Sequence, residues 1–150
     1  EFVHTRLRYE AWRSVITQAG LDATCVVQGD FTYRGGESAA HQIMHGPDRP
    51  TAVVCANDLM ALGFINGCLD MGLSVPDDVS VTGYDGIAMA THMRPTLTTA
   101  KTNPRLLAAV AAQMLLDVIE GNKPENREIA PAVMSIGQST GPCPSIVKMV

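Results

Sequence analysis

No stretch of the 150 residues approaches the ~18 consecutive apolar residues that a membrane-crossing helix needs. No charged-then-apolar opening stretch of the signal-peptide type is present either. Basic residues are sparse. The densest cluster is Arg6, Arg8 and Arg13, interrupted by Glu10, within a chain of net charge −4. A nucleic-acid surface needs a basic patch, so this stretch of chain by itself is not expected to bind DNA or an anionic membrane. The four cysteines, Cys25, Cys55, Cys68 and Cys143, form no CxxC pair. Three of them sit inside apolar runs, which reads as free, buried thiols in a reducing compartment. There is no GxGxxG or P-loop lysine, no GxSxG elbow, and no serine or cysteine nucleophile with a placed base. Dinucleotide, nucleotide and acyl-transfer chemistry thus find no foothold.

What is present is a globular composition, 46% hydrophobic and 17% charged, at about the size of one ordinary domain. The most informative stretch is 51–85, TAVVCANDLMALGFINGCLDMGLSVPDDVSVTGYD. Thr51 to Cys55 is a short β-branched apolar run, the mark of a buried parallel strand. Ala56-Asn57-Asp58 breaks it with residues suited to cap a helix. Leu59, Leu62, Ile65 and Leu69 recur at helical spacing over 58–71, widened by Ala61, Phe64 and Cys68. Gly72 follows as a left-handed terminator, and Pro76-Asp77-Asp78 as a turn. Val79 to Thr82 reads as a second strand, stopped by Gly83. Two strands joined through a helix are parallel neighbours with a right-handed crossover.

On either side the pattern continues. Residues 4–19 read as a helix with Leu7, Ala11, Val15 and Ala19 on one stripe and Trp12 and Ile16 beside it, ended by Gly20. Thr24 to Gln28 reads as a strand and Thr32 to Gly36 as a loop, with Gly35-Gly36 as a hinge. Gly36 to His45 reads as a short helix with Ala39, Ala40, Ile43 and Met44 inward. The breaker cluster 46–50 follows. Beyond Asp85, residues 87–92 suit one or two helical turns and 97–101 an extended segment. Asn103-Pro104 opens a helix that runs to about Glu120, with Leu107, Val110, Met114, Leu115 and Val118 inward. Glu128 to Gly137 reads as a strand broken by Pro131, and a tail from Gly141 is expected to fray. The fold class is therefore α/β, a parallel sheet flanked by helices. The chain opens on a helix without a strand before it and on Glu1-Phe2 rather than methionine, so it is expected to be cut from something longer.

In open α/β sheets ligands bind beyond the carboxyl ends of the strands. Those ends carry Asp30 and Phe31, Asn57 and Asp58, and Tyr84 and Asp85. Carboxylates, an amide and aromatic rings on one rim are suited to gripping hydroxyl groups. Each also has a plainer role. Asn57 and Asp58 compete for one cap position, and the expectation is Asn57 toward a ligand and Asp58 on the helix. Tyr84 is expected to pack rather than to contact a ligand. His41 and His45 stand four apart but lack a third metal ligand, so no metal site is expected. Paired acids could perform glycoside hydrolysis, but nothing else supports an enzyme, and no catalytic residue or cofactor is assigned.

TAVVCANDLMALG, then GLSVPDDVSVTGYD, then PTLTT, in that order and spacing, resemble the effector-binding core of the lac/galactose repressor family of bacterial transcription regulators. RLRYEAW, QGDF and IGQST also fit, so the resemblance covers about residues 5–140. It implies a two-lobed, periplasmic-binding-protein-like fold with the ligand between the lobes. Residues 1–100 would belong to the C-terminal lobe, its first strand lying upstream. Residues 101–124 would form a crossover helix belonging to the N-terminal lobe, and 125–150 a return strand and tail. The resemblance further implies a carbohydrate or related small-molecule effector, a cytoplasmic homodimer, and operator DNA bound through an upstream helix-turn-helix. Its effector contacts fall on Arg8, Phe31, Asn57 and Asp85. Thr102 stands where many members carry glutamine, and Gly86 where a second acid or amide is common. The alternative is a secreted sugar-binding protein that feeds a transporter.

Overall fold

The computed structural model describes residues 3–129 and 131–143. The chain runs through helix α1 (Val3–Gln18), helix α2 (Tyr33–Ile43), strand β1 (Ala52–Val54), helix α3 (Asp58–Asp70) and strand β2 (Ser80–Asp85). A short 3-10 turn (Ala88–Thr91), strand β3 (Thr98–Lys101), helix α4 (Pro104–Ile119) and strand β4 (Val133–Ser135) follow. The four strands form one sheet in the order β1-β2-β3-β4. β1–β2 and β2–β3 are parallel, and β4 returns antiparallel to β3. The α/β class and the parallel β1–α3–β2 unit are as the sequence predicts.

Helix α3 is the centre of the core. Its apolar residues run almost all the way round because it lies between α2 and the sheet. Met60, Ala61, Leu62, Phe64, Ile65 and Cys68 are buried, together with Val79, Val81 and Leu97 from the strand side and Ala39, Ala40 and Met44 from the α2 side. Glycines set the distance between the two helices. A Cβ at Gly36 would stand 2.0 Å from the Met60 carbonyl oxygen, and one at Gly63 would stand 1.9 Å from the Tyr33 carbonyl oxygen. Gly36 is thus a contact inside α2, not a hinge. The helix starts three residues earlier than expected because Thr32 caps it, its side chain accepting from the Gly35 amide. At the opposite end of the sheet Arg49 pairs with Asp78 at 2.7 Å, tying the two loops that precede β1 and β2. Ser139, fully buried, donates to the Val81 carbonyl and accepts from the Thr98 amide. It stitches the segment after β4 onto the sheet.

Several sequence expectations require correction. Gly83 does not end β2, which continues to Asp85. It is glycine because a Cβ there would come 2.3 Å from the Asp58 carboxylate. Residues 24–28 are not a strand, since no described strand lies beside them to supply hydrogen bonds. Leu59 and Leu69 of α3 are exposed, as are Leu7 and Val15 of α1 and Leu107, Leu115 and Val118 of α4. Neither α1 nor α4 buries a residue, because no described element covers their apolar sides. The predicted strand 128–137 shortens to β4, with residue 130 outside the described residues. The expected fraying tail falls mostly on 144–150, also outside them. Cys55 and Cys68 are buried as expected, but Cys25 and Cys143 are exposed. Burial pushes the Cys55 thiol up to about 12 and the Cys68 thiol to about 11, leaving both protonated at neutral pH.

Candidate functional site

The carboxyl ends of β1, β2 and β3 converge on one rim, and the structure brings all five sequence-predicted residues to it. Arg8 reaches the rim from the first half of α1. Its Nη1 donates to the Ala56 carbonyl at 2.8 Å, just past β1, and its guanidinium lies 3.6 Å from the centre of the Tyr84 ring. Arginine is suited to this double engagement, because its planar cation stacks on an aromatic face while its edge donates hydrogen bonds. Tyr84 is therefore the shelf under Arg8. That role was not legible in the sequence, where Arg8 and Tyr84 are far apart.

Asp85 ends β2 with φ of 118°, a region that L residues adopt at a cost of order 1–3 kcal/mol. Its carbonyl accepts from both the amide and the hydroxyl of Thr102 at 3.2 Å. Partial burial raises its carboxyl above the usual range, Arg8 works in the opposite direction, and Asp58 adds to the rise. Phe31 has φ of 65°, uncommon for a bulky residue. The turn that imposes this is built by Asp30, whose Oδ1 accepts from the amide and the hydroxyl of Thr32 at 3.0 and 2.7 Å. Those two bonds, the hydroxyl first, hold the Asp30 carboxyl below its ordinary value. The Phe31 ring meets the His4 ring at 6.2 Å between centroids. Two of the five rim residues thus occupy strained backbone, a condition that clusters at ligand sites.

The cap falls on Asn57, not on Asp58 as expected, and Asp58 has a different role. Asn57 is the N-cap of α3, its Oδ1 accepting from the Met60 amide at 2.9 Å. Its Nδ2 donates to the Phe31 carbonyl at 3.0 Å, so Asn57 also ties the Phe31 turn to the end of β1 and keeps one N–H to spare. Asp58 is fully buried. Its Oδ2 accepts from the Gly86 and Ile87 amides at 2.8 Å, and its Oδ1 accepts from the Thr99 hydroxyl at 2.5 Å. The carboxylate sits at the N-terminus of α3, where the helix dipole favours a negative charge. It binds α3, the loop after β2, and β3 into one unit beneath the rim. Sequence reasoning missed this because a capping position and a buried acceptor use the same residue type. Thr99, the decisive partner, is 41 residues away.

Chemically, the rim offers a cation, a carboxylate, an amide, a hydroxyl and an aromatic face. Among the described residues no group of three or more histidines, cysteines or acids could hold a metal ion. No described helix is long and apolar enough to cross a membrane.

Comparison with known proteins places these features in a family. Residues 1–140 match the family described as periplasmic binding protein-like domain. The chain is 40% identical over 124 residues to the HTH-type transcriptional repressor PurR of Erwinia tasmaniensis, which covers 81% of this chain and 36% of the relative. It is similar in structure to a dimeric Lac repressor with a C-terminal deletion, with a TM-score of 0.85, 30% identity, and coverage of 92% of this chain and 51% of that one. A LacI-family regulator from Enterococcus faecium with bound ribose gives a TM-score of 0.82 at 27% identity, covering 92% of this chain and 52% of that one. The chain thus spans about a third to a half of the length of the relatives it matches. It belongs to the periplasmic binding protein-like family, in the form that makes the effector-binding core of LacI-family transcription repressors.

Proposed function

We propose that this chain is part of the effector-binding core of a cytoplasmic transcription repressor, and that Arg8, Phe31, Asn57, Asp85 and Thr102 form one wall of its effector site. The observation that carries this is a chain of contacts: Arg8 stacks on Tyr84, the neighbour of Asp85, and donates to the Ala56 carbonyl, and the adjacent Asn57 holds the Phe31 carbonyl, with Phe31 and Asp85 both in left-handed backbone. A carboxylate accepting from ligand hydroxyls, an arginine donating to ligand oxygens and a ring to stack on suit a carbohydrate or a similar polar ring. Charge-assisted bonds of this kind are roughly twice as strong as neutral ones.

Residues 101–124 form the crossover helix of the opposite lobe, and 125–143 the return to the first. The apolar, unburied surface of α4 supports this division, since such a helix needs cover. An effector between the lobes biases their relative angle through its differential affinity for two states. In the whole protein, a homodimer, that bias sets the spacing of two DNA-binding heads on a palindromic operator. The exposed Leu59, Leu69 and Met89 are candidate dimer contacts. A transport-linked binding protein shares the fold, but the repressor relatives favour regulation.

The test is titration of the intact protein and its Asp85→Asn variant with a panel of mono- and disaccharides by calorimetry. Asp85→Asn is expected to lose effector binding while keeping its melting transition. Normal binding by the variant would refute the site assignment.

A further inference from the structure

Arg8 and Asp85 carry opposite charges on the same rim, and both are only partly buried. Arg8 is close enough to act on the Asp85 carboxyl. Even so, no Arg8 nitrogen comes within 4.0 Å of that carboxylate. Among the described residues, no donor bonds the Asp85 side chain, and the two bonds from Thr102 go to the Asp85 backbone carbonyl. Arg8 is held elsewhere, with its face on Tyr84 and one N–H on the Ala56 carbonyl. Neither restraint uses Asp85, and together they leave most of the five guanidinium N–H groups uncommitted.

This arrangement calls for an explanation, because a flexible arginine beside an unpaired carboxylate ordinarily closes into a bidentate pair. Such a pair would neutralise both groups, and any ligand would have to break it before binding. The ring of Tyr84, next to Asp85 on β2, offers the guanidinium a competing seat. We propose that Tyr84 is the positioning residue of this site: its ring holds the Arg8 guanidinium apart from Asp85, so that cation and carboxylate both stay open to a polar ligand seated between them. The proposal rests on the effector-site assignment above and deepens it. The ligand it fits presents hydroxyl or amide hydrogens to Asp85 and an oxygen or ring-nitrogen acceptor to Arg8, without a full charge of its own.

The ring face is what matters, not the hydroxyl. Tyr84→Phe keeps the face, so Arg8 stays stacked. Tyr84→Leu keeps apolar bulk but has no π-face, so Arg8 swings to Asp85. The other charged groups around Asp85 are unaltered by either change. They are Asp58 at the start of α3 and Lys101, its register partner on β3.

The test uses the intact protein without any effector. Crystal structures of wild type, Tyr84→Phe and Tyr84→Leu locate Arg8. A carbon-detected NMR titration, with Asp85 assigned through the Asp85→Asn variant, follows its carboxyl. Tyr84→Leu is expected to bring Arg8 within ion-pair distance of Asp85 and to lower the Asp85 midpoint by about 1–3 pH units, the usual effect of an adjacent arginine. Tyr84→Phe is expected to match wild type in both. An Arg8 that stays in place in Tyr84→Leu, or an unchanged midpoint, overturns the proposal. A Tyr84→Phe variant that behaves like the leucine variant also overturns it. Should Tyr84→Leu fail to fold, wild type decides: the Arg8 side-chain protons must be shifted upfield by the ring current of Tyr84, and their absence from that position overturns the proposal. None of these readouts involves an effector. Failure of the site assignment, read from effector titrations of Asp85→Asn, is thereby kept separate.

Discussion

Replacing Asp58 by alanine should be more damaging than replacing it by asparagine, and the difference can be worked from three bonds. The Asp58 carboxylate accepts from two amides, Gly86 and Ile87, and from the Thr99 hydroxyl, with no solvent exposure of its own. Alanine strips the acceptor from all three donors. An orphaned buried donor costs about 1–3 kcal/mol, and removing the carboxylate returns part of this by relieving the burial of a charge. Two of the three donors, the Gly86 and Ile87 amides, are only part-buried, so the net expected loss is about 2–4 kcal/mol. Asparagine keeps the shape. Its oxygen can accept from both amides, and its Nδ2 can donate to the Thr99 oxygen, which then acts as acceptor. Only charge assistance and the favourable dipole of α3 are lost, so the expected cost is about 1–2 kcal/mol. Urea unfolding of the intact protein measures both variants, with the midpoint shifting and the slope unchanged. Amide hydrogen exchange gives the local signature, since Gly86 and Ile87 should lose protection in Asp58→Ala and keep most of it in Asp58→Asn. An alanine variant destabilised by less than about 1 kcal/mol would refute the claim that this carboxylate ties α3 to the rim.

Two further outcomes follow from close packing and from charge. Gly63→Ala places a methyl group 1.9 Å from the Tyr33 carbonyl oxygen; because backbone cannot yield cheaply, a loss of about 1–3 kcal/mol is expected in urea unfolding, and a neutral result would mean that α2 can slide on α3. Burial holds the Asp85 carboxyl above its unfolded value near 3.8, so between the two values the folded state binds more protons than the unfolded chain, and stability rises as pH falls through the raised value. Asp85→Asn mimics the protonated form and tolerates positive φ. It should therefore be more stable than wild type at neutral pH, with the gain shrinking as pH falls toward 3.8; a variant less stable at neutral pH would contradict the direction of the shift.

The sequence by itself determined the local grammar of this protein. Helical spacing from Leu59 onward, the breaker at Asn57 and the β-branched runs on either side specified a parallel β–α–β unit, because short-range sterics and one-sided burial depend only on neighbouring residues. The rule that strand ends carry ligand groups then drew attention to Phe31, Asn57 and Asp85, while the order of three motifs supplied Arg8 and Thr102. Tertiary structure decided what spacing cannot express. Whether Asn57 or Asp58 caps α3 depended on Thr99 and on the Gly86 and Ile87 amides arriving from another strand. Gly83 proved to be a place where a carboxylate needs room, not the end of a strand. Periodicity found the apolar stripes of α1 and α4 but could not say whether anything covers them, and a strand at 24–28 had the right residues without a described neighbour to pair with. The stacking of Arg8 on Tyr84, 76 positions apart by their numbers, belongs to the same class. It is a through-space contact between a helix and a strand end, fixed only when the whole chain has packed.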